Sequence, residues 1–100
     1  FYHGMLLGLL RFREDWYIKS NAESGAGYSD ILIEIPQKRI GIVIEMKYAE
    51  QGRFDQACEA ALQQIREKRY EEKLIEDGMK RVLAYGIACY RKECEVKMEK

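Results

Sequence analysis

The chain has 100 residues, enough for one compact domain with a single modest core. Apolar residues make up 47% and charged residues 34%, with equal numbers of basic and acidic side chains, a balance that shows no sign of disorder and counts mildly against a stand-alone nucleic-acid binder, without excluding a local basic patch. No apolar run approaches the ~18 residues needed to span a bilayer, and Met5-Leu6-Leu7-Gly8-Leu9-Leu10 lacks the basic leader of a signal peptide. Three cysteines without CxxC spacing, beside one histidine, point to free thiols in a reducing, cytoplasmic setting and away from a structural zinc site. The first residue is Phe1 rather than Met, so a fragment of a longer protein is expected.

In chain order, residues 1 to about 12 read as a helix that is apolar nearly all round, as a buried helix would be, with Gly4 and Gly8 on one face. Trp16 to Ser20 reads as a first strand, and residues 21–27, with two glycines, as a turn. Two β-rich runs follow, Tyr28–Ile35 and Ile40–Lys47, flanking the polar break Pro36-Gln37-Lys38-Arg39; this is the pattern of an antiparallel hairpin. Phe54 to about Asp77 reads as one long amphipathic helix, its buried stripe formed by Phe54, Ala57, Cys58, Ala61, Leu62 and Ile65, with Gly78 at its C-terminal end. Arg81–Cys89 and Glu93–Met98 read as the last two strands, the second an edge. A helical crossover of this length returns a strand parallel to the one before it, so a mixed α/β sheet with helices on both faces is expected.

The hairpin carries the chemistry. If Ile35 pairs with Ile40, then Ile31 faces Ile44, Ile33 faces Ile42, and Asp30 lies opposite Glu45 with Lys47 on the same face. The aliphatic reverse face fixes this register, because a one-residue slip would exchange the two faces. Two carboxylates and an ammonium at one end of a hairpin suit a divalent metal and a phosphodiester. The same trio would also serve as an ordinary cross-strand ion cluster. Glu23, in the turn at the same end of the sheet, is a candidate third carboxylate, and His3 on the first helix a candidate auxiliary group. Arg66, Lys68, Arg69 and Lys73 form a basic stretch interleaved with Glu67, Glu71 and Glu72, which reads as an ion-paired solvent face. Tyr70 reads as a packing residue with a wet hydroxyl. Cys89 and Cys94 would face each other across a turn at Arg91-Lys92, as thiols.

The order αβββαβ, with Asp30 on the second strand and Glu45-x-Lys47 on the third, resembles the PD-(D/E)xK nuclease superfamily. Phe1 to Leu10, Ser20 to Gly25, Ala61-Leu62-Gln63-Gln64-Ile65 with Lys68 and Tyr70, and Tyr85-Gly86-Ile87-Ala88 are similar to one bacterial and archaeal branch, in which the domain follows an AAA-ATPase-like domain. The resemblance spans almost the whole chain. It implies a restriction-endonuclease-like αβββαβ core with an extra C-terminal edge strand, and a nuclease that uses Mg²⁺ or Mn²⁺ on nucleic acid, with DNA as the expected substrate. It also implies roles. Asp30 and Glu45 would ligate the metal together with the backbone carbonyl of Met46. Lys47 would position the attacking water, and Gln64 would point at the site from the following helix, with Lys68 one turn later on the same face. Ser29 stands where the family's motif has proline, Tyr28 where many members of the branch have arginine, and the first-helix acid of the superfamily is not evident. A catalytically inactive domain of the same fold that binds nucleic acid or a protein is the alternative, and an exposed edge strand would suit a homodimer.

Overall fold

The computed structural model describes residues 15–22 and 28–99. The expected first helix, with His3, Gly4 and Gly8, and the turn residue Glu23 lie outside them. The described elements are β1 (Tyr17–Ala22), β2 (Tyr28–Ile35), β3 (Ile40–Tyr48), a 3₁₀ turn (Glu50–Gly52), α1 (Phe54–Glu67), α2 (Tyr70–Glu76), β4 (Arg81–Tyr90) and β5 (Glu93–Glu99). They build one five-stranded sheet in the order β1-β2-β3-β4-β5. β3 and β4 run parallel, and every other neighbouring pair is antiparallel. The mixed sheet and the parallel crossover agree with the sequence reading.

The hairpin register is also as read: Ile31 faces Ile44, Ile33 faces Ile42, Ile35 faces Ile40 and Asp30 faces Glu45. Two hydrogen bonds close its four-residue loop, Lys38 N–H to the Ile35 carbonyl at 3.2 Å and Arg39 N–H to the Pro36 carbonyl at 3.2 Å. The Arg39 carbonyl then accepts from Lys80 N–H at 2.8 Å, which ties the start of β3 to the start of β4.

Side-chain alternation divides the sheet into two apolar faces. Ile31, Ile33, Ile35, Ile44, Met46 and Cys89 form a buried cluster on one, with Trp16, Ile18, Tyr85 and Ile87 packed against it. On the other, Leu32 and Val43 pack with Leu62, Ile65, Leu74 and Met79, so both described helices cover this face. Each fully buried aliphatic side chain contributes roughly 1.5–3 kcal/mol. Gly86 on β4 allows the close approach of α1, since a Cβ there would meet the Cys58 carbonyl oxygen at 2.6 Å, Leu62 at 3.1 Å and Ala61 at 3.3 Å. Exposed ion pairs then hold β5 to α1: Lys97 reaches Asp55 at 2.5 Å and Glu59 at 3.0 Å, and Arg66 pairs with Glu99.

Residues 54–77 are not one helix. α1 ends at Glu67, Arg69 adopts a left-handed conformation (φ 56°, ψ 38°), and α2 begins at Tyr70. Gly78 (φ 99°) closes α2, the role expected of it. Cys89 and Cys94 face each other across the β4–β5 turn, and all three cysteines are thiols. Burial, then the neighbouring Cys94 thiol, pushes the Cys89 thiol up to about 12. Among the described residues, no helix is long and apolar enough to cross a membrane.

Candidate functional site

Asp30 and Glu45 sit on the helix-covered face near the open end of the hairpin, and both are 0% exposed. The alternation that buries Leu32 and Val43 under the helices also carries the two carboxylates there. The sequence reading contrasted a charged face with a buried aliphatic one; in the fold, both are interior. Two directly opposed, desolvated carboxylates repel, so the surroundings must offset their charge.

Two residues that flank the helix break do so. Lys68 Nζ donates to Asp30 Oδ2 at 2.9 Å and to Glu45 Oε1 at 3.3 Å. Tyr70 Oη–H donates to the same Asp30 Oδ2 at 2.5 Å, and the Lys68 ammonium lies 5.9 Å from the Tyr70 ring centroid. In an unbroken helix, residues two apart point about 200° from each other. The left-handed turn at Arg69 is what aims both side chains at one carboxylate. That backbone state costs a non-glycine residue roughly 1–2 kcal/mol, which the charge-assisted hydrogen bonds offset. Asp30 Oδ1, also buried, accepts no hydrogen bond among the described residues.

The remaining predicted residues distribute as follows. Lys47 follows Glu45 by two residues on the same face of β3 and lines a cavity of about 190 Å³ with Tyr48, Glu50, Arg53 and Gln56. Gln64 is half-buried on α1, one turn before Lys68, and its backbone carbonyl accepts from Lys68 N–H at 3.0 Å. The Met46 side chain belongs to the opposite apolar cluster, and its backbone follows Glu45 directly. Among the described residues, no group of three or more His, Cys, Asp or Glu side chains converges. Tyr70 is the residue that sequence reasoning missed. Its only signal was its place in the stretch similar to the nuclease branch, because the helix break that brings it in is invisible to hydrophobic periodicity.

The donor set fits a small hard cation. Two carboxylates with a buried oxygen left without a hydrogen bond, already gathered around one ammonium, make a site of the right charge, and Mg²⁺ takes its other ligands from carbonyls and water.

No curated protein and no solved structure matches the chain. The family model of the PD-(D/E)XK nuclease superfamily matches residues 1–99. The match takes in both strands of the hairpin, both described helices with Lys68 between them, and β4 and β5, so every element just described falls within it, and the chain belongs to the PD-(D/E)XK nuclease superfamily.

Proposed function

We propose that this domain is a metal-dependent nuclease that hydrolyses phosphodiester bonds in DNA and works beside an AAA-ATPase-like domain in its parent protein. The observation that carries the reading is the buried, directly opposed pair Asp30 and Glu45, with Asp30 Oδ1 left without a hydrogen bond. Two buried carboxylates bridged by one ammonium keep a net negative charge, which is costly in an interior and suits a site that holds a cation.

Asp30, Glu45 and the Met46 carbonyl would hold Mg²⁺ or Mn²⁺, which supplies Lewis-acid neutralisation of the phosphate and a more acidic bound water. Lys47, two residues from Glu45 on the same face, orients the attacking water and offsets charge that develops on the phosphate. Lys68 holds the carboxylates apart from each other's repulsion, and its four-carbon stem lets the ammonium turn toward a phosphate oxygen. Tyr70 fixes the orientation of the Asp30 carboxylate through Oδ2. Gln64, one turn before Lys68 on α1, would serve as an amide donor.

One observation favours a second reading, a binding domain without catalysis: the Lys68 ammonium already bridges the two carboxylates and offsets one of their two charges. Incubating supercoiled plasmid with Mg²⁺ or Mn²⁺ and comparing the chain with its Lys47→Ala variant separates the two. Metal-dependent nicking that the variant loses supports the nuclease. No cleavage by a folded sample that also binds neither ion in calorimetry overturns it in favour of the binding domain.

A further inference from the structure

The cavity beside Lys47 has a composition that the hydrolytic chemistry does not explain. Its walls are Lys47 and Tyr48 from the end of β3, Glu50 from the 3₁₀ turn, and Arg53 and Gln56 at the start of α1. Two of these are basic and one is acidic. Arg53 is the residue that precedes α1, and among the described residues no side chain caps that helix, so its first-turn N–H groups can donate to an anion beside the Arg53 and Lys47 side chains.

Beside the cavity is an aromatic surface. Tyr48 is 55% exposed, although Ile44 and Met46, which precede it at alternate positions on β3, are buried. Its ring lies 5.6 Å from that of Tyr90 at an angle of 52°, and the Arg91 guanidinium sits 5.2 Å from the Tyr90 centroid. A guanidinium, two tyrosine rings and a cationic cavity thus follow one another along the end of the sheet and finish at Lys47. Tyr48 is braced by Tyr90 and still offers ring surface to solvent. Basic groups that track a backbone, interleaved with an exposed ring on which a base stacks, are the two parts of a single-strand site. Bases in a duplex are already stacked on each other and give such a ring nothing to bind. A chain of zero net charge also lacks the long-range field on which duplex binding usually depends.

We infer that the Lys47–Tyr48–Arg53 cavity is a nucleotide subsite for single-stranded nucleic acid, with the base on Tyr48 and its phosphate between Arg53 and the first turn of α1, and that the nuclease takes an unpaired strand or a frayed end. This inference rests on the nucleic-acid reading of the site. The subsite adjoins Lys47, which lies two residues from Glu45 on β3.

Fluorescence anisotropy tests it with a fluorescein-labelled oligo(dT) 12-mer and a duplex of the same length, both in EDTA so that no cleavage occurs. The single strand is expected to bind more tightly than the duplex. Tyr48→Ala should weaken single-strand binding about 5- to 100-fold, the range for loss of one stacked base, and leave the duplex unchanged, while Tyr48→Phe retains the affinity. Arg53→Ala should lower the slope of log affinity against log salt by about 0.7, the loss of one phosphate contact to a single strand. Equal affinity for both forms, or a Tyr48→Ala variant that binds oligo(dT) like the parent, overturns the subsite. If plasmid is cleaved but Tyr48 has no effect on single-strand binding, the subsite fails and the nuclease stands; Tyr48-dependent binding without cleavage has the reverse meaning.

Discussion

Among the described residues, two sets of ion pairs cross from the helices to the sheet, and they do different work. At the hairpin, Lys68 bridges two carboxylates that are 0% exposed, and is itself only 16% exposed. At the far edge, Lys97 bridges Asp55 and Glu59, and Arg66 meets Glu99, with side chains between about a third and four-fifths exposed. Both sets use lysine against two acids. Water screens the second and not the first, so the second positions an edge strand while the first decides whether the interior is tenable. Asp55 and Glu59 hold the Lys97 ammonium protonated well above its usual range through hydrogen bonds, yet that reflects proximity rather than weight in the fold.

The comparison yields a graded set of outcomes. The largest concerns Lys68. Lys68→Met removes the ammonium that bridges the buried Asp30 and Glu45, and urea denaturation in metal-free buffer should show a loss of about 3–5 kcal/mol. On the proposed metal reading, Mn²⁺ should raise the Tm of this variant more than that of the parent, because no ammonium competes for the carboxylates; an equal rise would break that link. Tyr70→Phe comes next. It removes one hydrogen bond to a charged oxygen, and the same denaturation should register about 1.5–3 kcal/mol.

A smaller effect depends on pH. Burial, then the hydrogen bond and charge of Asp77, raise the Glu34 carboxyl above its usual 4.5. The folded state therefore holds this proton more tightly than the unfolded state. The contribution to stability is complete below about 4.5 and is lost as pH rises through the raised value. Melting curves from pH 4 to pH 7 should show Glu34→Gln gaining on the parent over that interval, and parallel curves would sink the assignment. The smallest effect is that of Lys97→Ala, which should leave the urea midpoint almost unmoved and any small shift abolished by salt. A midpoint loss comparable to that of Lys68→Met would erase the distinction between the two ion-pair sets.

How much of this was legible in the sequence follows from the range of each interaction. The hairpin and its register were readable because alternation of isoleucines over eight residues allows one solution, and that register alone opposes Asp30 and Glu45. The parallel return of β4 followed from the length of the crossover. The break at Arg69 was not readable. No glycine or proline marks it, and its cause is tertiary, the pull of the Asp30 carboxylate on Lys68 and Tyr70 from opposite sides of the turn. Tyr70 packs against the helix-covered cluster as read, but its hydroxyl turns to Asp30, which was hidden for the same reason. The cavity beside Lys47 was equally hidden, because it depends on a 3₁₀ turn in which Gln51 takes a positive φ of 58° and Gly52 one of 72°. The boundaries of β1 shifted from Trp16–Ser20 to Tyr17–Ala22, since pairing with β2 extends it by two residues.

The opposed carboxylates also bear on the time course of folding. Asp30 and Glu45 are joined by a short hairpin, whereas Lys68 reaches Asp30 from 38 residues away. Short loops close before long ones, so the two like charges meet while their counter-charge is still distant. The hairpin is therefore closed against a repulsion that Lys68 offsets only once the helices are in place. Stopped-flow refolding should accelerate between about 0.05 and 0.5 M salt, where the Debye length shrinks from over 10 Å to below 5 Å. A rate indifferent to salt would mean that the helices dock before the hairpin closes.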